Sequence, residues 1–308
     1  MAQAILVSSS DQSQTIFHIL RSFLLKKLHM SSVPGHTRSR RCLLPFVCTF
    51  SAGCVLFAVF RGEPSPCDVA GAAIKAETSV DRAKRLLVES DAVFFDVDST
   101  VVKTEGINLL GDCFGVMKEI ENLTTTAMNG NIKFQDAMAQ RLELMAEHGM
   151  TKSKLDECVR VEGRPRWTRG VREVVRRLHA TGKHVYLVSG GFKVMIGPVA
   201  EKLGIPEKRV FGNTILFDVD GHYAGFDRQA PTSRSGGKPA VLKAMGKENG
   251  YRTMIMIGDG ATDMDARTEG AAAAFIGYGG VTAREKIKKN ADWFVYRFSE
   301  LLKVLPRS

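Results

Sequence analysis

The sequence has few cysteines, and neither its cysteines nor its histidines are spaced as metal ligands usually are. The six cysteines form no CxxC, and the seven histidines form no HExxH or similar cluster. Four cysteines fall within the first 67 residues, which leaves Cys113 and Cys158 for the rest of the chain. This pattern predicts neither a disulfide framework nor a zinc site.

Acidic residues are almost absent from the start of the chain. Residues 1–62 contain seven basic residues and a single acid, Asp11, and therefore carry +6 of the total net charge of +10. All later residues together carry only +4. Because the excess charge does not lie in the part that is patterned like a folded domain, the composition does not predict nucleic-acid binding.

Residues 1–78 are rich in serine and arginine and lack the apolar stripe of a packed helix. This composition predicts a disordered targeting leader, an organelle transit peptide that import machinery reads. A membrane anchor is the alternative, because residues 42–60 are nineteen consecutive uncharged residues flanked by arginines. That length can just span a bilayer. Under either interpretation the segment determines where the protein is located and takes no part in a reaction.

From residue 79 onward, short apolar runs alternate with helical patterns. The runs are AVFFDV at 92–97, HVYLVSGG at 184–191, TMIMIGDG at 253–260, AAAAFIGYGG at 271–280 and WFVY at 293–296. This alternation predicts an α/β fold with a doubly wound parallel sheet. Residues 79–103 and 169–308 form the predicted core, and residues 104–168 a helical cap inserted after the first strand. A β-hairpin is expected at residues 214–226.

Carboxylates follow two of the predicted strands at their carboxyl ends. These residues are Asp96, Asp98, Asp259 and Asp263. Parallel strands bring their carboxyl ends to one edge of a sheet, where α/β proteins bind ligands. Four carboxylates meeting there repel one another unless a divalent cation neutralises them, and oxygen ligands with room for phosphate favour Mg²⁺. The sequence therefore predicts a magnesium site.

Donors for a phosphoryl group come from two other segments. Ser189 and the glycines after it follow the second predicted strand, and Lys238 precedes a predicted helix. A lysine ammonium and a helix N-terminus both favour phosphate. Asp96 and Asp98 are two positions apart, so both side chains can face one substrate. Asp96 would then attack phosphorus, while Asp98 would protonate the leaving alkoxide and later deprotonate water.

The motifs DVDST, SGGF, PTSRSGGK and GDGATDM occur in this order and resemble those of the haloacid dehalogenase superfamily of phosphohydrolases. The resemblance runs from about residue 91 to the C-terminus. It implies a Rossmann-like core with a small helical cap, dependence on Mg²⁺ and an aspartyl-phosphate intermediate. It also implies that Asp96 is the nucleophile and that Asp98 is the acid/base, which binds metal through its backbone carbonyl. Asp259 would be a metal carboxylate, and Asp263 would support the metal shell. The phosphoryl group would be held by Ser189, Gly190 and Lys238, with Thr262 beside it.

Within this superfamily, the predicted cap resembles that of members that hydrolyse O-phospho-L-serine. Glu105 matches the carboxylate that meets the substrate ammonium, and Arg141 the guanidinium that binds its carboxylate. Met128 and Phe134 match the apolar wall of that pocket. Asn129 departs from the pattern, because family members carry glycine there.

The resemblance implies an enzyme that releases L-serine and phosphate, the last step of L-serine biosynthesis. The leader and a similarity to plant-type enzymes favour a plastid, with a mitochondrion as the alternative. Two other functions stay open at this point. One is a phosphatase or phosphotransferase acting on another small phosphomonoester, and the other is a membrane-anchored, non-catalytic protein of the same fold.

Overall fold

The computed structural model describes residues 77–128 and 132–307, and for residues 127 and 128 it describes the backbone only. The predicted leader, apart from Glu77 and Thr78, and the alternative anchor at 42–60 therefore lie outside the described residues. Within the described ranges, no helix is both long and apolar enough to cross a membrane.

The core is a six-stranded sheet in which every neighbouring pair of strands is parallel. Its strands are β1 (Ala92–Phe95), β2 (His184–Phe192), β3 (Val210–Asn213), β6 (Met254–Gly258), β7 (Ala274–Tyr278) and β8 (Trp293–Val295). Their order across the sheet is β3-β2-β1-β6-β7-β8. The remaining two strands, β4 (Ile215–Phe217) and β5 (Tyr223–Phe226), form an antiparallel hairpin. This hairpin confirms the prediction for residues 214–226.

Eleven α-helices occur in the described residues. The core helices are α1 (Ser79–Glu89), α6 (Val171–Ala180), α7 (Lys193–Lys202), α8 (Gly237–Asn249), α9 (Ala261–Thr268), α10 (Glu285–Asn290) and α11 (Phe298–Leu302). Four others follow β1 in the chain: α2 (Gly106–Cys113), α3 (Met117–Met128), α4 (Phe134–Glu147) and α5 (Lys152–Glu162). Short 3₁₀ turns occur at Glu207–Arg209 and Pro231–Ser233. The parallel sheet with helices inserted after its first strand confirms the predicted fold class.

Both faces of the sheet are buried, which explains why the strands are apolar without alternation. Residues of β1 show the two faces clearly, since Val93 and Phe95 belong to one apolar cluster and Phe94 to another. On the first face, α6 contributes Val174 and Leu178, four positions apart on one side of the helix. The sheet is therefore the middle layer of a three-layer sandwich.

The four helices after β1 share a third apolar cluster with the hairpin. This cluster contains Leu110 of α2, Leu142 of α4 and Leu155 of α5, together with Phe226 of β5. The backbone N–H of Lys152 also donates to the carbonyl oxygen of Gly221 at the hairpin turn, at 2.9 Å. The hairpin thus anchors the start of α5.

A disulfide bond joins Cys113, the last residue of α2, to Cys158 in α5. The cysteine spacing predicted no disulfide framework, and it did not indicate this single bond. The two residues are 45 positions apart, and only the packing of α2 on α5 brings their Cα atoms to 6.1 Å, a separation that a disulfide can bridge. The spacing of the cysteines along the chain does not predict that packing.

Candidate active site

The register of the sheet brings the ends of three strands to one place. β1 lies between β2 and β6, and Phe95 is aligned with Leu187 on one side and with Ile257 on the other. Asp96 follows β1, and its backbone N–H donates to the carbonyl oxygen of Ile257 at 2.9 Å. The side chain of Asp96 therefore starts from the centre of the carboxyl edge, where it is 6% exposed.

Lys238 reaches Asp96 from the first turn of α8. Its Nζ donates to Asp96 Oδ1 at 2.7 Å and to Asp263 Oδ1 at 2.6 Å, and the residue is 7% exposed. The start of α8 is packed tightly, since a Cβ on Gly237 would lie 2.1 Å from the Pro231 carbonyl oxygen. Burial alone would lower the pKa of Lys238, but the carboxylates of Asp263 and Asp96 raise it well above its usual value. The ammonium is thus firmly charged.

Asp259 and Asp263 come from the end of β6 and the first turn of α9. Asp263 Oδ2 accepts a hydrogen bond from the backbone N–H of Gly260 at 3.0 Å, which fixes its position at the helix start. Gly258 makes room for it, because a Cβ there would lie 2.2 Å from Asp263 Cγ. Asp259 is 5% exposed and accepts from Arg284 Nε at 3.2 Å.

The cluster carries more negative than positive charge, and the pKa values reflect this. Burial, followed by the charge of Asp96, raises the pKa of Asp259 to about 7. Burial raises the pKa of Asp263 to about 8, although Lys238 opposes that shift. Each carboxylate is therefore costly to ionise in the protein alone, and an added cation would relieve that cost.

Three of these carboxylates fit a hard divalent cation. One oxygen each from Asp96, Asp259 and Asp263 lies within 4.8 Å of the other two, and all three residues are buried. Buried carboxylate oxygens are the ligands that Mg²⁺ prefers. The carboxylate of Asp98 is not part of this group, and metal binding through its backbone carbonyl stays a prediction. An oxygen of Asp263 belongs to this group as well, and its role as a support of the metal shell stays a prediction.

Asp98 lies in the loop after β1, where two residues hold its carboxylate. The N–H of Gly106 donates to Asp98 Oδ1 at 2.7 Å, and Ser189 Oγ donates to Oδ2 at 3.3 Å. Burial, followed by the charges of Glu105 and Asp96, raises the pKa of Asp98 to about 7. A carboxyl group with this pKa can both donate and accept a proton at neutral pH.

The carboxyl end of β2, which contains Ser189, approaches the same space. Ser189 is fully buried, and its Oγ accepts from the N–H of Gly191 at 2.8 Å. Gly190 lies against the ring of Phe134, because a Cβ on this glycine would come within 2.9 Å of Phe134 Cζ. This end of β2 therefore packs tightly and lies beside Asp98 Oδ2.

The predicted cap residues Glu105 and Arg141 interact electrostatically. Glu105 Oε1 accepts from Ser99 Oγ at 2.6 Å. Burial lowers the pKa of Arg141, and the charge of Glu105 opposes that shift. Arg141 Nε is buried without a hydrogen-bond partner among the described residues. A buried donor of this kind is free to bind an anionic ligand. The side chain of Met128 is not described, and Asn129 lies outside the described residues.

Thr262 lies in the first turn of α9 and is exposed. It belongs to the segment between Asp259 and Asp263, and its Oγ1 would lie 3.8 Å from a Cβ on Gly260. This location is at the rim of the carboxylate cluster. A role in binding substrate stays a prediction for this residue.

Four polar residues at the site were not predicted. Arg284 pairs with Asp259 from the loop before α10. Asn213 Nδ2 donates to the carbonyl oxygen of Gly190 at 2.8 Å, and Thr232 Oγ1 donates to Asn213 Oδ1 at 3.0 Å. Ser99 has a left-handed backbone, with φ of 54°, and it belongs to the DVDST motif, which could have indicated it. Nothing in the sequence marks the other positions.

The comparisons with known proteins agree with this geometry. The family model for haloacid dehalogenase-like hydrolases matches residues 93–266. The chain is 45% identical to the phosphoserine phosphatase described as chloroplastic from Arabidopsis thaliana, over 70% of this chain and 72% of that protein. It is 43% identical to the mouse phosphoserine phosphatase, over 71% of this chain and 95% of that protein.

A solved structure also resembles the chain. It is described as a phospho-aspartyl intermediate analogue of phosphoserine phosphatase, and it matches with a TM-score of 0.59 and 26% identity. The match covers 70% of this chain and 99% of that structure. Because the family model spans β1 to α9 and relatives align over most of their length, the chain belongs to the haloacid dehalogenase-like hydrolases.

Proposed function

We propose that the protein is a Mg²⁺-dependent phosphatase that hydrolyses O-phospho-L-serine to L-serine and phosphate, the last step of L-serine biosynthesis. The observation that carries this proposal is the buried contact of Lys238 with Asp96 beside Asp259 and Asp263. In this contact the carboxylate of Asp96 lies next to the ammonium of Lys238 at the carboxyl edge of the sheet. The similarity to phosphoserine phosphatases over most of the chain supports the choice of substrate.

Asp96 is the proposed nucleophile. Lys238 holds its Oδ1, which leaves Oδ2 to attack phosphorus and form an aspartyl-phosphate. The ammonium of Lys238 would meet the oxygens of the transferred group, together with Ser189 and the amide of Gly190. When bound by Asp96, the backbone carbonyl of Asp98 and Asp259, with Asp263 in support, Mg²⁺ would neutralise charge on the phosphoryl oxygens.

Asp98 is the proposed acid and base. Burial raises the pKa of this carboxyl group in the metal-free protein to about 7, and its protonated form would donate a proton to the leaving serine alkoxide. The resulting carboxylate then removes a proton from the water that hydrolyses the aspartyl-phosphate. The hydrogen bonds from Gly106 and Ser189 keep this carboxylate oriented through both steps.

Glu105 and Arg141 are the proposed contacts for the two charged ends of the amino acid. The carboxylate of Glu105 would bind the ammonium, and the partnerless Nε of Arg141 would bind the carboxylate. Phe134 and Met128 would form the apolar wall of this pocket. Residues 104–168 are proposed to be a cap over the site, with residues 79–103 and 169–308 as the catalytic core and Thr262 at the edge of the pocket.

The proposal extends to the address of the protein. Residues 1–78 are proposed to be a transit peptide that engages import machinery, and the Arabidopsis relative, described as chloroplastic, supports a plastid destination. Imaging a fluorescent fusion of residues 1–78 tests this address. Signal in mitochondria or at a membrane would favour the alternatives.

The decisive test measures phosphate release from O-phospho-L-serine by the full chain, with and without Mg²⁺. We expect Mg²⁺-dependent release that Asp96→Asn abolishes, whereas Asp156→Asn leaves it unchanged. Asp156 is a suitable control because it is exposed and pairs with Lys152 of its own helix. Release without Mg²⁺, or from Asp96→Asn at the normal rate, would contradict the mechanism. Faster turnover of another phosphomonoester would contradict O-phospho-L-serine as the substrate.

A further inference from the structure

The disulfide between Cys113 and Cys158 joins an exposed residue to a buried one. Cys113 is exposed at the end of α2, whereas Cys158 is 6% exposed and belongs to the apolar cluster that α2, α4 and α5 share. A small dithiol or a protein dithiol can therefore reach Cys113 directly. Exposed disulfides are the ones that exchange readily with thiols.

The helix that ends in Cys113 begins in the active site. The N–H of Gly106, its first residue, donates to Asp98 Oδ1 at 2.7 Å. Glu105, which immediately precedes the helix, accepts from Ser99 at 2.6 Å. The helix has eight residues and is therefore only about 12 Å long. A change in how its last residue is held can alter the position of its first residues.

The other half of the disulfide belongs to a helix that is anchored elsewhere. The N–H of Lys152 at the start of α5 donates to the carbonyl oxygen of Gly221 in the β4–β5 turn, at 2.9 Å. Thr151 and His222 form a β-bridge beside this contact. The disulfide thus ties the helix that touches Asp98 to a helix that the hairpin holds.

We propose that Cys113 and Cys158 form a redox modification site, and that a dithiol reductant acting there weakens the binding of O-phospho-L-serine by releasing α2. The effect on binding rests on the proposed function, because Glu105 is the expected contact for the substrate ammonium. The site itself depends only on the disulfide and on the two helices that it joins.

The exchange is balanced in atoms and electrons. A thiolate of the reductant attacks Cys113 Sγ and forms a mixed disulfide, while Cys158 leaves as a thiolate and takes up a proton. The second thiol of the reductant then attacks the reductant's other sulfur, which is bonded to Cys113, and Cys113 is released as a thiol. Two electrons pass to the protein, and the reductant leaves as a disulfide.

The test uses the full chain with its four other cysteines replaced by serine: Cys42, Cys48, Cys54 and Cys67. Thiol titration under denaturing conditions should then find no free thiol before reduction and both after treatment with dithiothreitol. We expect reduction to raise the KM for O-phospho-L-serine by about fivefold or more, the low end of typical coupling between distant sites. It should also speed amide hydrogen exchange in α2. Reoxidation of the same sample should restore both values.

The double variant Cys113→Ser/Cys158→Ser is the matched control. It should show the KM of the reduced protein and should not respond to dithiothreitol. Free thiols at both positions before reduction, or a KM that reduction leaves unchanged, would overturn the proposal. If the oxidised protein hydrolyses no O-phospho-L-serine, the proposed function fails. The exchange experiment then decides alone, and unchanged exchange in α2 would refute the redox site.

Discussion

Replacing Lys238 with methionine tests how far one ammonium stabilises the carboxylate cluster. Nζ donates to both Asp96 and Asp263, and the side chain is 8% exposed. Removing one partner of a buried ion pair usually costs about 3–5 kcal/mol, since the remaining charge has no compensation. For a folded region of this size, each kcal/mol lowers the melting temperature by about 2–4 °C. We therefore expect Lys238→Met to lower the melting temperature of the metal-free protein by about 6–20 °C.

The pH dependence of this loss identifies its cause. Asp263 already has a pKa raised to about 8, and removing the ammonium raises it further. A carboxyl group whose folded-state pKa exceeds its unfolded value stabilises the fold below the unfolded pKa, and that stability is lost as pH rises through the folded pKa. The deficit of Lys238→Met should therefore be larger at about pH 8 than at about pH 5.5.

Lys243→Met is the matched control for thermal melting followed by circular dichroism. Lys243 lies on the same helix, but its side chain is 52% exposed and its partner Glu269 is 45% exposed. Exposed pairs contribute about 0–1 kcal/mol, so this variant should melt close to the parent. In a phosphate-release assay, Lys238→Met should lose about 10²–10³-fold in kcat. Equal melting temperatures for the two variants, or a deficit independent of pH, would refute the reasoning.

Three further results are expected. The metal-free protein should melt at a lower temperature at about pH 8 than at about pH 5.5, because burial raises the folded-state pKa values of Asp98, Asp259 and Asp263 to about 7, about 7 and about 8. Mg²⁺ should remove this difference, and no effect of Mg²⁺ on melting would count against the site. Gly191→Ala should lower kcat at least about tenfold, because the new Cβ would lie 2.8 Å from Asp98 Oδ2. Gly197→Ala should keep the parent rate, because a Cβ there has no neighbouring atom within 4 Å. Equal rates for the two variants would refute this reasoning. Arg141→Met should raise KM for O-phospho-L-serine at least about tenfold but change KM for phenyl phosphate little, and equal effects on both substrates would refute carboxylate recognition.

Local patterns predicted most of the sheet. The apolar runs at 92–97, 184–191 and 253–260 correspond to β1, β2 and β6, because a strand buried on both faces needs continuous apolar residues. β3 was missed. It has four residues, and its pairing with β2 shifts register between Val188 and Phe192. Such a short strand is stabilised by its neighbour more than by its own sequence.

The site was predictable to the extent that chemistry is concentrated at strand ends. Asp96, Ser189 and Asp259 each follow an apolar run, so a parallel sheet necessarily brings them to one edge. Lys238 could be proposed from charge balance alone. Arg284 could not, because a single arginine in a loop before a helix resembles any solvated residue until the fold carries it to Asp259.

By itself, the sequence determined the type of fold and the residues that bear the chemistry, since strand periodicity and the position of polar residues after strands are local properties of the chain. Only the tertiary structure decided the order of the strands, the hydrogen bonds that Lys238 shares between two carboxylates, and the pairing of Cys113 with Cys158. These features depend on distances between segments far apart in the chain. Such distances follow from how the helices and strands pack, and no local pattern encodes them.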